Sequence, residues 1–385
     1  MEEPDVFEKL GEHLSKLCMG YPPREDLIEI LKANFSPQEA EVALALPTGV
    51  IPMQPSGVDE IKKGMDLPRE ELTEILDTLV ERGLLFTGRT EKGGKGYSLL
   101  QVGFGFPQTF FWKGEDTPHS RKMSGLLAKY FNRKVTAEAF SHAGGTKPYR
   151  YIPVGRSVKS EKQAVLPYNM MEKVIEDAGR IALAHCPCRV AYRLSGRGEG
   201  CHHPTEVCMK FNGMAEFVIE RGLAKEVTKA EALEVIRKSE QAGLVHFVDN
   251  AEGEILHNCN CCGCACWNVG NIRRRKIPRD ALMAVYFLRE TDRDACIGCG
   301  ACAGICPVDA VTIEEDVAVI DEEWCIGCGV CATVCPADAL HIKLRPDRTE
   351  TLPAATIKEL HQKILEEKRS VGLCVSVAKQ RSGSR

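Results

Sequence analysis

The chain has 385 residues, 44% hydrophobic and 27% charged, a balance that fits two or three globular domains rather than a disordered or membrane-spanning chain. Its formal net charge of −4 conceals segregation: residues 1–100 carry −8, residues 101–295 carry +7, residues 296–348 carry −6 and the rest +3. The abnormal count is 19 cysteines, of which Cys18 and Cys374 stand apart and read as ordinary thiols, while the other 17 fall between Cys186 and Cys335. Thiols one or two residues apart make poor disulfide partners but converge readily on a metal, and a chain this long needs no disulfide staples.

The first residues, Met1-Glu-Glu-Pro-Asp-Val, lack the basic and apolar regions of a secretory signal. Apolar stretches such as Ala281 to Leu288 fall far short of the ~18 to 20 residues of a membrane span. A cytoplasmic protein without a transmembrane segment is therefore expected, in a compartment where thiols stay reduced. Ser36 then caps a helix with Pro37 in its first turn, and a second helix starts at Leu67-Pro68, carries Leu72, Ile75, Leu76, Leu79 and Val80 at helical spacing, and stops at Gly83. Leu84 to Phe86, a glycine-rich turn and Tyr97 to Leu100 read as a β-hairpin.

Helix, helix and hairpin over about residues 35–100 resemble a winged helix-turn-helix domain, expected over residues 1–103. The resemblance implies DNA binding, but the helix that would enter the major groove carries Glu70, Glu71, Glu74, Asp77 and Glu81 against Arg69 and Arg82. Phosphate neutralisation supplies most duplex affinity, and Arg89, Lys92 and Lys95 in the hairpin compensate weakly. Protein docking or spacing is the preferred role. Lys92-Gly-Gly-Lys-Gly lacks the spacing of a phosphate loop. Residues 104–165 read as a connecting segment in which Phe104, Phe106, Phe110, Phe111 and Trp112 form a packing strap, and His119, His142 and Gly144-Gly145 show no ligand pattern.

Residues 166–290 read as a mainly helical, cysteine-rich domain: an amphipathic helix from Asn169 to Ala184 leading to Cys186-Pro-Cys188, then helices Phe211 to Arg221 and Lys229 to Ala242 closed by Gly222 and Gly243. Nine thiols lie here: Cys186, Cys188, Cys201, Cys208, Cys259, Cys261, Cys262, Cys264 and Cys266. Eight suffice for two metal centres. The simplest division puts Cys186, Cys188, Cys201 and Cys208 on one and four of the later five on the other, with mixed sets equally legal. Adjacent Cys261 and Cys262 point in different directions in an extended chain, which suits two separate centres or one of unusual type. Zinc competes with iron here because no ferredoxin-type spacing is present. His202 and His203 read either as alternative ligands or, the preferred reading, as ordinary loop residues. The cations concentrate at Arg273-Arg274-Arg275-Lys276 and Arg279, which suit either a solvated face or attraction to an acidic partner surface, a phosphate-bearing ligand or the neighbouring thiolates.

Cys296-Ile-Gly-Cys299-Gly-Ala-Cys302-Ala-Gly-Ile-Cys306-Pro307 is repeated 29 residues later as Cys325-Ile-Gly-Cys328-Gly-Val-Cys331-Ala-Thr-Val-Cys335-Pro336. The doubled run resembles the bacterial-type ferredoxin with two 4Fe-4S clusters, and a dicluster domain over residues 291–347 is expected. In that family the fourth cysteine of each run binds the other cluster. The resemblance thus implies one cluster on Cys296, Cys299, Cys302 and Cys335 and another on Cys325, Cys328, Cys331 and Cys306. Val308 to Ile313 and Ala337 to Ile342 look like the family's short helix and strand. Residues 348–385 are a tail.

The expected fold class is α+β. No dinucleotide fingerprint, nucleophile elbow or zincin motif accompanies the cysteines. The expectation is a non-catalytic electron-transfer protein with two 4Fe-4S clusters and up to two more centres upstream, a subunit or partner of a larger anaerobic oxidoreductase. Two alternatives remain: a redox-sensing transcription regulator, and a reductase whose substrate binds an incompletely ligated upstream cluster.

Overall fold

The computed structural model describes residues 4–103, 105–140, 145–158, 170–197, 200–348 and 353–370. Phe104, His142, Gly144 and Cys374 lie outside them. The chain forms two compact units, residues 1–146 with 361–385, and residues 147–360.

The first unit opens with helices α1 (Val6–Ser15), α2 (Glu25–Asn34) and α3 (Pro37–Leu44). Reciprocal capping boxes start α1 and α3, Asp5 with Glu8 and Ser36 with Glu39, satisfying otherwise orphaned N–H groups. Strand β1 (Ser56–Gly57), helix α4 (Val58–Ile61) and helix α5 (Arg69–Glu81) follow, then strands β2 (Leu85–Arg89) and β3 (Lys95–Leu99). The three strands pair in the order β1-β3-β2. Leu72, Leu76, Leu79 and Val80 bury one face of α5, and Gly83 ends it at φ 71°. Helices α6 (Phe106–Thr109), α7 (Pro118–Tyr130) and α8 (Arg133–Phe140) occupy the expected connector. Phe106, Phe111 and Trp112 are buried in this unit, and Phe106 stacks on Tyr21 at 5.1 Å between ring centroids.

The second unit adds to the helices expected in the middle segment a seven-stranded sheet that the sequence reading did not contain. Its elements are β4 (Tyr149–Ile152), α9 (Met171–Asp177), β5 (Ile181–His185), α10 (Pro187–Tyr192), β6 (Glu206–Phe211), α11 (Asn212–Glu220), β7 (Lys225–Glu226), α12 (Lys229–Gln241), β8 (Val245–Asp249), β9 (His257–Cys261), α13 (Val269–Arg273) and β10 (Met283–Ala284). The strand order is β10-β4-β8-β9-β6-β5-β7, antiparallel except for the parallel pair β10-β4. The helix expected up to Ala184 stops at Asp177: after the break at Ala178-Gly179, Ile181 to Ala184 are all buried between β6 and β7, where only extended backbone completes the sheet's hydrogen bonds. Helices α9 and α12 contribute Val174, Ile175, Ala232 and Ile236 to a core with Met209 and Phe211 of β6.

The rest of this unit comprises β11 (Phe287–Thr291), α14 (Ala301–Ile305), β12 (Val311–Glu314), β13 (Val317–Ile320), β14 (Leu340–Leu344) and α15 (Ile357–Ser370), whose residues from His361 belong to the first unit. β11 pairs with β14, and β12 with β13. Turns rather than helices follow each Cys-Pro step, with Asp309 and Asp338 both at φ 49°. No helix among the described residues is long and apolar enough to cross a membrane.

Candidate metal centres

The two cysteine runs fold alike because their glycines permit it. Gly298 and Gly327 both take φ 64°, and Gly300 and Gly329 take 76° and 69°, so each backbone curls around a central space. Cys296, Cys299, Cys302 and Cys335 line one cavity. Cys306, Cys325, Cys328 and Cys331 line another, together with Arg289. Each cavity thus receives three thiols from one run and one from the other.

Amide groups point at the sulfurs: Ala318 N–H donates to Cys296 Sγ at 3.4 Å, Ala310 to Cys306 at 3.3 Å and Ala339 to Cys335 at 3.4 Å. Four thiols around a space, with N–H donors to sulfur, fit an iron–sulfur cube. Arg289 Nη2 lies 3.9 Å from Cys302 Sγ and supplies positive potential to thiols of both cavities.

The cavities differ in exposure. Ile297, beside the first, is 66% exposed, whereas Ile326, at the same place in the repeat, is 1% exposed. Cys299 is exposed, while Cys325, Cys328 and Cys331 are buried. Burial pushes the Cys331 thiol up to about 12 and Cys328 well above the ordinary range, whereas N–H groups of Ala318 and Gly298 pull Cys296 down. The first site is outer and the second inner.

The upstream thiols gather at the end of three adjacent strands. Cys186 directly follows β5, Cys208 lies in β6, and Cys259 and Cys261 share one face of β9 by strand alternation. The other face carries Asn258 and Asn260, both buried. Asn260 Nδ2 donates to Val207 O at 2.6 Å and Asn258 Nδ2 to Phe247 O at 3.2 Å. Buried amides satisfied in this way fix the strand's facing.

The division along the chain is replaced by a spatial one. Cys186, Cys188, Cys266, Cys261, Cys259 and Cys208 form a succession of neighbouring thiols. Cys201 makes its sulfur contacts with Cys262 and Cys264, in a core cluster that also holds Cys186 and Cys188. The reason is topological: β9 lies beside β6, bringing Cys259 to Cys208, while the chain beyond β9 turns to the loop bearing Cys201. Cys261 and Cys262 face different groups.

Within the six-thiol group, contact with Cys186 holds Cys188 well above the usual thiol range, and contact with Cys259 does the same to Cys261 and Cys208. Cys259 and Cys266, which receive these contacts, lie well below it, and Cys186 is also lowered. Sulfurs this crowded cannot all ionise without a cation between them. Buried His257 pairs with buried Asp249 at 3.3 Å behind Cys259. Burial would lower the His257 pKa, but Asp249 and Cys259 outweigh it and raise it.

Arg189, completely buried, sits between the two upstream groups: its Nη2 donates to Asn260 O at 3.0 Å, while Nε and Nη1 have no hydrogen-bond partner. The thiolates of Cys186, Cys262 and Cys261 favour its charge against burial. A buried guanidinium beside the thiols of Cys186, Cys261 and Cys262 matches an anionic metal–thiolate centre. Sequence reasoning missed Arg189, although its position directly after Cys-Pro-Cys was the available signal. It also set aside His203, whose Nδ1 lies 3.6 Å from Cys264 Sγ and 3.8 Å from Cys201 Sγ.

The inner site adjoins these groups. Val154 N–H donates to Cys328 O at 3.0 Å, and the buried phenol of Tyr151 lies close enough to Cys266, Cys261 and Cys328 that all three oppose its ionisation, adding to burial. The basic block docks within the chain. Arg275 donates to Val308 O at 2.6 Å and Asp309 O at 2.8 Å and covers the Trp324 ring at 4.3 Å; Arg273 meets Asp309 at 2.8 Å, and Arg279 reaches Cys325 O at 2.8 Å. Cys18, by contrast, is buried in the first unit, 3.5 Å from His361 Nδ1.

Comparison with known families gives one result for the cysteine runs: residues 289–342 match the model of the 4Fe-4S dicluster domain. Neither the curated proteins nor the solved structures provide a match. The chain therefore contains a ferredoxin-type iron–sulfur domain, the mark of an electron-transfer protein.

Proposed function

We propose that the chain is a multi-cluster electron carrier, a subunit or dedicated partner of a larger anaerobic oxidoreductase, with cluster ligands grouped as the cavities group them. Cys296, Cys299, Cys302 and Cys335 hold the outer 4Fe-4S cluster and Cys306, Cys325, Cys328 and Cys331 the inner one. The six-thiol group of Cys186, Cys188, Cys208, Cys259, Cys261 and Cys266 holds a further iron–sulfur centre. Bound there, such clusters supply one-electron redox chemistry at potentials set by charge, hydrogen bonds to sulfur and exposure.

The observation that carries this reading is the graded exposure of the thiol sets, from Cys299 and Ile297 at the surface to the buried Cys328 beside Tyr151 and Cys266. The chain's residues present one redox site to a partner, exclude water from the next, and offset buried negative charge with Arg189, Arg289 and Arg279. The winged-helix-like region serves in protein docking. Three of its helix and hairpin cations are already matched to carboxylates, Arg69 with Asp59, Arg82 with Glu39 and Lys95 with Asp77, which reduces the charge available to a duplex.

Iron analysis of anaerobically purified full-length chain tests the reading. About twelve or more irons per chain are expected. A value of about eight or fewer, with the chain folded, would remove the upstream iron–sulfur centre.

A further inference from the structure

The four side chains of Cys201, His203, Cys262 and Cys264 are spaced differently from those of the ferredoxin runs. Their ligand atoms all lie within 4.8 Å of one another. The sulfur separations are 2.9 Å for Cys201 and Cys264, 3.2 Å for Cys262 and Cys264, and 3.8 Å for Cys201 and Cys262. His203 Nδ1 stands 3.6 Å from Cys264 Sγ and 3.8 Å from Cys201 Sγ.

Metal geometry decides what fits. A tetrahedral ion bound at about 2.3 Å by sulfur and about 2.0 Å by nitrogen sets the sulfurs roughly 3.8 Å apart and each sulfur roughly 3.5 Å from the nitrogen. In an iron–sulfur cube each thiolate binds a different iron, which spreads the sulfurs to roughly 6 Å. The Cys201–Cys262 separation and both nitrogen–sulfur separations match the first arrangement, the two contacts of Cys264 with sulfur are shorter still, and all are far too tight for the second. The ferredoxin thiols enclose cavities instead, with no two of them within hydrogen-bonding distance among the described contacts, and the six-thiol group touches in successive pairs, so that among the described residues it is the set with His203 whose ligand atoms all close on one point.

The geometry points to a mononuclear Cys3His site for a single tetrahedral ion of the zinc type, formed by Cys201, His203, Cys262 and Cys264 and separate from the six-thiol group. Three thiolates and a neutral imidazole leave a zinc site with one net negative charge, and Arg189 beside Cys262 offers the matching buried positive charge.

The surroundings hold the ligands in place. Arg193 Nη2 donates to Cys201 O at 3.1 Å and His203 O at 2.7 Å, Ala265 N–H donates to Cys262 Sγ at 3.4 Å, and Arg274 Nη1 donates to Cys264 O at 3.0 Å. Four protein ligands close the coordination sphere, so the ion is structural, tying the loop after α10 to the turn after β9.

The test is zinc-edge X-ray absorption and metal analysis on the full chain, purified anaerobically with its native metals. Expected is about one zinc per chain with three sulfur neighbours at about 2.3 Å and one nitrogen at about 2.0 Å. His203→Ala and Cys201→Ser should each lower zinc at least roughly threefold while iron stays unchanged, and Cys188→Ser should do the reverse. A wild-type chain without zinc, a zinc shell of four sulfurs, or loss of about four irons from the His203→Ala protein would each overturn the assignment. The wild-type spectrum decides even if a variant fails to fold. Because zinc and iron are read separately, failure of this site and failure of the upstream iron–sulfur centre are distinct results.

Discussion

At the residue scale, glycines in matching motifs carry different constraints. Gly327 has φ 64°, and a Cβ there would collide with the Phe287 carbonyl; Gly304 has open space around it, and Thr333 already occupies its place in the second run. Gly327→Ala should destabilise the unit by at least about 1–3 kcal/mol and lower its iron content, while Gly304→Ala should leave both unchanged. Thermal midpoints and iron per chain check the pair. The residue scale also marks where sequence reading runs out. Ile297 and Ile326 sit in identical Cys-Ile-Gly-Cys-Gly contexts, yet the former is exposed and the latter packed, because only tertiary neighbours distinguish the runs.

His13 provides a pH prediction. Its Nε2 donates to Leu46 O at 2.8 Å, and burial, with Lys16 nearby, lowers its pKa. The folded chain therefore binds fewer protons at this site than the unfolded chain once pH falls below about 6.5. Stability from the neutral form is full above that value, declines as pH drops toward the folded pKa, and levels off below it. His13→Gln should lose less thermal stability than wild type between about pH 7.5 and about pH 5.5, as read by differential scanning fluorimetry. An equal loss in both proteins would contradict the assignment.

At the scale of elements, local signals were legible where caps and periodicity agree. Ser36-Pro37, Leu67-Pro68 and Gly83 mark the bounds of α3 and α5 because each acts through its own backbone. The sheet of the second unit was not legible, since β5 is a short, alanine-rich buried strand and β9 is built from His, Asn and Cys. Alternation in His257-Asn-Cys-Asn-Cys was the missed signal: period two in polar residues places ligands on one face and the hydrogen-bonded amides on the other.

The arginine-rich stretch after α13 illustrates the same limit. Its charge was visible in sequence, but its role as a clamp on the loops at Val308 and Cys325 depends on long-range packing. Arg275→Ala removes two charged hydrogen bonds and the stacking on Trp324, and should cost about 2 kcal/mol. Faster amide exchange in residues 306–310 and 322–325 is the expected readout, whereas exchange unchanged from wild type would show that the loops hold without it.

For the whole molecule, the segregated charge has an internal use. The positive middle of the chain contacts the negative ferredoxin segment, so the cations act within the second unit and the small net charge conceals that complementarity. The spacing of the eight ferredoxin cysteines repeats, so their two cavities could be anticipated, whereas the nine upstream ones showed only that they cluster. Their grouping depends on which strands pair, and no sequence interval encodes that.

The central claim is that redox sites continue inward from the ferredoxin segment into the sheet-based part of the second unit. A redox titration of the full-length, anaerobically purified chain, followed by electron paramagnetic resonance with spin quantitation, tests it most directly. The account predicts about three reducible centres per chain, two of them magnetically coupled as neighbouring ferredoxin clusters, with the third removed by Cys259→Ser. Two centres or fewer, with a spectrum unaffected by Cys259→Ser, would contradict it.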